Sequence, residues 1–458
     1  MTDDARFLLT RRGLLIGAAS SAVALAACAP REGEPDETSD SAAEPTTSEF
    51  GGSTDWRRFE GTTLNLLLAE HWWTTPVSEQ FAEFEDLTGM TIEANILSED
   101  SYYQQALVSL SAGANTYDAV MVGNLQAGQY MEAGWLTALD PYFRDGDLID
   151  PDWFNLEDFF APARDAGTSK GELFALPISA EAGVIMYRRS MLEAAGITSF
   201  ESQNALVEAS QALVGTMPRP FAGRGRRGLD IVWTWTNYFL TEGGEFFDGD
   251  TPAVNSEAGV RATELYVKQL LGEYGPTGAS NMSWLEATGL MNEGGAAIYT
   301  DASGLLSVLL DDTQSAHTDD IAVQRWPGSA NGSAAAPNYW YWLAGIPEGS
   351  ANKEAAALFY AWAMSPEIAL SVSSRSGSPS ARASVWDDST FLSFYPSDTA
   401  TEITANLEAV QTERVPYARP TFPQEADALA LELVNILTNG KNIQTALDDA
   451  VVGMQAAL

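Results

Sequence analysis

Two histidines, His71 and His317, and one cysteine, Cys28, are all that the sequence offers toward imidazole or thiolate chemistry. Two imidazoles cannot build a His-rich metal site, and a single thiol excludes an intrachain disulfide, so no metal and no cofactor is expected. The run Gly223-Arg224-Gly225-Arg226-Arg227-Gly228 fits G-x-G-x-x-G. Pro218 and Pro220, however, stand where the strand before a dinucleotide loop should be, and the run reads as a basic surface loop. No G-x-x-x-x-G-K-[ST] is present to cradle a nucleotide's phosphates, and no G-x-S-x-G supplies a nucleophile elbow. With 63 Asp and Glu, some carboxylate pair will always match a glycosidase spacing, so such pairs carry no weight. What remains is aromatic: Trp233, Trp235, Tyr238, Trp284, Trp340, Tyr341 and Trp342 offer flat apolar faces. In the alternation Trp233-Thr234-Trp235, one ring is expected to face a core.

The chain that must position these groups has 458 residues, 45% of them hydrophobic and 19% charged, which excludes whole-chain disorder. Its 24 Lys and Arg against 63 Asp and Glu leave a formal charge of −39, and that excludes a nucleic-acid grip. Lysine occurs only at 170, 268, 353 and 441. An acidic, lysine-poor surface fits either life in salt or an Arg-biased genome.

Residues 1–27 have the form of a signal peptide: Arg6, Arg11 and Arg12 precede an apolar stretch from Gly13 to Ala27 that is too short for a membrane span. Leu25-Ala26-Ala27-Cys28 resembles the lipobox of bacterial-type lipoproteins, which implies a lipidated Cys28. Thr10-Arg11-Arg12-Gly13-Leu14-Leu15 resembles a twin-arginine export motif without its usual downstream lysine, leaving the export route open. Residues 28–55 hold little to bury and are expected to be a disordered tether. The expected location is extracytoplasmic, lipid-anchored to the cell membrane.

Beyond the tether, strands and helices alternate. Thr63–Leu68 is a short apolar run ending at Ala69-Glu70-His71, a buried strand meeting a loop. Val77, Phe81, Phe84 and Leu87 form one helical stripe that Gly89 ends. Met90, Ile92, Ala94 and Ile96 alternate as a strand, a helix spans about 101–112, and 117–122 form a third strand. This grammar predicts βαβ units and a mostly parallel sheet. Further on, 296–299 reads as a short strand, Ser365-Pro366-Glu367 as a capped helix start, and Asn439-Gly440 as a break between two helices.

Several segments resemble bacterial extracellular solute-binding proteins, the sugar-binding components of ABC importers. Phe81–Gly89 resembles that family's first helix, and Tyr117-Asp118-Ala119-Val120 with Asn124 its "YDvv…n" strand and loop. Gly171–Pro177 through Tyr187–Ser190 resembles its "GklyglP…YnkdlF" crossover. Asn352–Ala356 with Ser365-Pro366-Glu367 resembles "NKEaA…lTSPE". Gly275-Pro276 with Trp284, and 377–382, are most similar to the subgroup that takes polyols and related sugars. The resemblance implies an α/β, two-lobed, periplasmic-binding-protein-like fold with three interlobe crossings and a ligand cleft between the lobes. The crossings would lie near 178–181, 300–303 and 364–366. Lobe one would then be 56–178 plus 302–365, and lobe two 179–301 plus 366–458. It also implies a monomer that binds a small-molecule sugar or sugar alcohol and delivers it to ABC permease subunits, without being an enzyme. The rival is a lipid-anchored carbohydrate-active enzyme, a glycoside hydrolase; a module for a peptide or a metal chelate is a third reading.

A sugar is held by flat aromatics against its C–H faces and by polar side chains at its hydroxyl edges. Ligand contacts are accordingly expected from Trp233, Trp235, Trp284 and Trp340, and from Glu70, His71 and Trp72 at a strand's end. His71 could equally be a hydrogen-bonded loop residue. Asn124 ends a strand, Glu181 and Asp301 fall in crossing segments, and Arg382 could bind hydroxyls or form a salt bridge. Glu181 is expected as a carboxylate accepting ligand hydroxyls.

Overall fold

The computed structural model describes residues 50–396 and 398–457. The leader, Cys28 and most of the expected tether lie outside the described residues. Residues 50–55 do not belong to a tether: Phe50 stacks on Trp56 and meets Trp153 edge-on, while the Ser53 amide and hydroxyl both donate to Asp150.

Eight strands form the main sheet: β1 (Thr63–Ala69), β2 (Thr91–Leu97), β3 (Ala119–Gly123), β4 (Ala175–Arg188), β5 (Phe221–Ala222), β6 (Ile298–Ala302), β7 (Ile321–Arg325) and β8 (Tyr339–Gly345). Their order is β2-β1-β3-β8-β4-β6-β5, with β7 also on β4. β1 runs parallel to β2 and β3, as the βαβ grammar predicts, and β6 parallel to β5. The pairs β3–β8, β8–β4, β4–β6 and β4–β7 are antiparallel, so the sheet is mixed rather than mostly parallel. The antiparallel pairs all involve β4 or β8, the strands that lead the chain between the two halves of the sheet.

β4 joins those halves. Its residues 175–182 pair with β8, whereas 183–188 pair with β6 and β7. Twelve successive positions from Ala175 to Met186 are buried, which a strand covered on both faces requires. Glu181 and the Val184-Ile185-Met186 run thus lie on one continuous strand, and the change of half falls at Ala182/Gly183.

The other two expected crossings are displaced. After β6 the chain stays with the second half through β7 and reaches the first only at β8, so the passage is 326–338 and not 300–303. After the expected third crossing, residues 366–395 remain on the first half. Ser371 Oγ donates to Gln80, Trp153 Nε1 to Glu367, and Ser380 bridges to Ser179. The second half is regained at Thr399–Ala409, where the Asn406 amide donates to the Gly183 carbonyl. Such shifts arise because side-chain anchors, not the capped helix start at Ser365, decide where a segment packs.

The helices that serve the cleft follow local rules. The stripe from Val77 to Leu87 breaks into α1 (Thr74–Ser78) and α2 (Phe81–Thr88), with the Gln80 amide donating to the Pro76 carbonyl; Gly89 ends α2 at φ 71°. α3 spans Glu99–Ser111 and α4 Asn124–Glu132. α5 (Leu229–Thr241) is buried at every position from Asp230 onward. α6 (Trp284–Asn292) starts on a Ser283/Glu286 capping box. α7 is Lys353–Ala363, and α8 (Pro366–Ser376) has the expected Ser365 cap on the Ile368 amide.

Candidate ligand cleft

Between the halves lies a cavity of about 50 Å³. Glu70, His71 and Trp72 reach it from the end of β1, Glu181 from β4, Trp284 from the start of α6 and Trp340 from β8, as the sequence suggested. Trp342, from the same aromatic pool, also lines it, and Glu99, Arg224, Leu229, Ala302 and Leu305, which were not foreseen, complete the wall. An open groove of about 1080 Å³ adjoins it and shares Glu70, His71, Trp72 and Trp284 with it.

His71 is 8% exposed. Its Nδ1 accepts from the Trp73 amide at 3.1 Å, so the neutral ring carries its proton on Nε2. Among the described residues that nitrogen has no hydrogen-bond partner, and it stands 4.0 Å from Glu181 Oε1. Burial pulls His71 down to about 3, and the approach is therefore not an ion pair at neutral pH. Glu181, 1% exposed and opposite Trp340 in the β4–β8 ladder, is pushed up to about 8 by burial. The Ser179 hydroxyl at 3.2 Å and the Arg224 charge only partly oppose that rise. Gly304 packs against Glu181 and Trp72: a Cβ there would lie 2.5 Å from both Glu181 Oε2 and Trp72 Cζ2.

Arg224 belongs to the run expected on the surface. It is instead held over the Trp233 ring at 4.8 Å, with Nε donating to Asp301 at 2.8 and 3.0 Å and Nη2 closing the fork. A strand does precede it: β5 is two residues long and lies at the edge of the sheet, where nearby prolines are tolerated. Paired carboxylates raise the guanidinium's pKa against the opposing effect of burial. Asp230 lies 3.9 Å from Arg224 Nη1 and accepts from Arg226 Nε at 2.6 Å; burial raises its pKa despite both arginines.

Asp301 therefore supports the wall from behind, fully buried, and accepts from Tyr299 as well. Trp233 lies beneath Arg224 with its Nε1 on the Tyr339 carbonyl. Trp235 is core: its ring stacks on Phe239 at 4.4 Å and its Nε1 donates to Thr263. Asn124 opens α4, buried, with neither amide atom partnered among the described residues, and does not line the cavity. Arg382 is 1% exposed and structural. It donates to the Phe154 and Met364 carbonyls at 2.7 Å and pairs with Asp158 at 3.0 Å.

The rim is bridged. Trp284 Nε1 donates to Glu99 at 2.9 Å, the Trp284 and Trp72 rings meet edge to face at 6.4 Å, and Arg226 reaches Asp100 at 3.5 Å. Among the described residues, no group of three or more His, Cys, Asp or Glu could hold a metal ion.

The chain belongs to the bacterial extracellular solute-binding proteins, whose sequence profile matches residues 72–370. It is 25% identical over 337 residues to the erythritol/L-threitol-binding protein of Mycolicibacterium smegmatis, covering 70% of each chain. It is 28% identical over 307 residues to the mannitol-binding protein of Pseudomonas aeruginosa, covering 64% of this chain and 67% of that one. A ribitol-bound solute-binding protein from Agrobacterium radiobacter superposes with a TM-score of 0.79 at 23% identity, over 87% of this chain and 99% of the other. The maltose-bound MalE3 of T. maritima superposes at 0.77 and 18% identity, over 87% and 100%. The fold is thus the two-lobed α/β fold of periplasmic binding proteins, with the cleft described above between the lobes.

Proposed function

We propose that this protein is an extracytoplasmic receptor for a small sugar or sugar alcohol, which it delivers to an ABC importer. The observation that carries the reading is the cavity between the halves, continuous with the open groove. Trp72, Trp284 and Trp340 supply flat apolar faces there, while His71 Nε2, Glu181 and Arg224 supply polar edges. The polyols named for the two relatives above favour a sugar alcohol. In this reading Glu70, His71, Trp72, Glu99, Glu181, Arg224, Trp284 and Trp340 meet the ligand, and Asp301 and Trp233 position Arg224. The hydrolase alternative draws no support from the family. The protein acts as a monomer, tethered through a lipid on Cys28; Cys28→Ser is expected to release it from the membrane fraction, and retention after a high-salt wash would refute the anchor.

A thermal-shift screen across polyols, monosaccharides and disaccharides tests the receptor. A ligand at 100 times its Kd adds about 2.7 kcal/mol of stability and raises Tm visibly. The ligand must be recovered intact after denaturation. A flat screen, or recovery of a cleaved product, overturns the reading.

A further inference from the structure

Glu181 is a buried acid without a cation of its own. Among the described residues no arginine or lysine lies within ion-pair distance of it; its neighbours within reach are the Ser179 hydroxyl and neutral His71. The groups that face it come from every side of the cleft. The loop after β1 brings Glu70 and His71, and α3 brings Glu99, itself beside Tyr103. The loop after β5 brings Arg224, α5 brings Asp230, β6 brings Asp301, and Tyr395 approaches from the 389–395 segment. Four buried or half-buried carboxyls, Glu99, Glu181, Asp230 and Asp301, therefore share two arginines. Arg224 spends Nε and Nη2 on Asp301, and Arg226 its Nε on Asp230. Arg224, already forked to Asp301, only partly offsets a charge on Glu181. The backbone at Gly304 packs close to the other Glu181 oxygen, which has no hydrogen-bond partner among the described residues. An unpaired carboxylate in such a place is costly, and a proton removes the cost.

We propose that the lobes close on their ligand with Glu181 protonated, so that it meets a ligand oxygen as a hydrogen-bond donor and binding draws a proton from solvent. The inference rests on the receptor reading and deepens it by giving Glu181 and His71 Nε2 the same role, two neutral donors side by side. When the lobes part, water reaches the carboxyl and its ordinary acidity returns; closure reverses this. The shift of Glu181 to about 8 on burial agrees with that direction. By linkage, the closed, liganded state holds one more proton than the open one, and affinity falls as pH rises between the two acidities.

Calorimetric titration with erythritol and D-mannitol, in buffers of different ionisation enthalpy, reads the proton directly. Wild-type protein is expected to take up close to one proton per ligand at pH 6.5, and its affinity to fall at least tenfold between pH 6 and pH 8. Glu181→Gln keeps the shape and a neutral donor. It is expected to lose more than half the uptake and to flatten the pH profile. Binding without uptake in wild type, or a Glu181→Gln variant that folds by circular dichroism yet takes up as many protons as wild type, overturns the inference alone. No binding of any polyol or sugar overturns the receptor reading and this inference together. If Glu181→Gln does not fold, the wild-type buffer comparison decides by itself.

Discussion

Trp284 Nε1 donates to Glu99 Oε2 at 2.9 Å, and this bond joins helices on opposite halves of the sheet. Asp100, the next residue along α3, meets Arg226 beside it at 3.5 Å. Trp284→Phe keeps the ring but leaves the Glu99 carboxyl unpartnered. A lost hydrogen bond to a charged group costs about 1.5–3 kcal/mol, so ligand dissociation should accelerate roughly ten- to a hundredfold. Stopped-flow displacement measures it; an unchanged off-rate would mean that the bond does not hold the cleft shut.

Arg224 and Asp301 should behave as one unit. Arg224→Lys loses the planar fork and leaves a fully buried carboxylate poorly matched, which for a buried pair costs about 3–5 kcal/mol. Urea denaturation of Arg224→Met, Asp301→Asn and the double variant should show strong non-additivity, the double being far less damaged than the sum. Additive losses would contradict the coupling.

For Arg382 the expectation is loss of stability without loss of affinity. Arg382→Met strips hydrogen bonds from the Phe154 and Met364 carbonyls and unpairs Asp158, so Tm should drop by several degrees. Calorimetry on the folded fraction should return the wild-type Kd; a large rise in Kd would restore a ligand role.

His71 makes the native state sensitive to acid. Its native pKa of about 3 lies below the ordinary imidazole value of 6.5, so between those limits the unfolded chain binds the extra proton. The stability it contributes is present above pH 6.5 and lost as pH falls, by up to about 1.4 kcal/mol per unit. Glu181 has the opposite sign: its contribution is present below the ordinary glutamate value of 4.5 and lost as pH rises toward about 8. Denaturant midpoints from pH 7 to pH 4 should fall less steeply in His71→Gln than in wild type. Parallel slopes would show that His71 is not buried as a neutral ring.

The sequence made the β1 end legible because an apolar run stopping at Ala69 leaves Glu70, His71 and Trp72 at a strand's carboxyl end. Glu181 was legible too, as a carboxyl inside an apolar stretch. Glu99 could have been found by the same strand-end rule, since it opens the helix that follows β2. Arg224 could not: its partner Asp301 is 77 residues away, and no local pattern announces the pair. The two tryptophans at 233 and 235 misled because alternation separates faces only on a strand. α5 is a helix buried all round, so neither ring was free for the cavity. The crossings moved for a similar reason, since strand partners and distant anchors such as Arg382 decide which half a segment joins.

Glu181 is two residues from the point at which β4 changes partners, whereas Glu99 and Trp284 stand at the rim. A rotation of one half against the other about that strand gives each atom a displacement proportional to its distance from the axis. Groups near the fulcrum hardly travel, and those at the lip sweep widest. A ligand entering the gaping cleft would therefore find the Glu181 end of the site already in place and add the Trp284 end last. For a rotation about β4, the lever arms would set the order of contact, with the innermost group as the landing point and the outermost as the bolt.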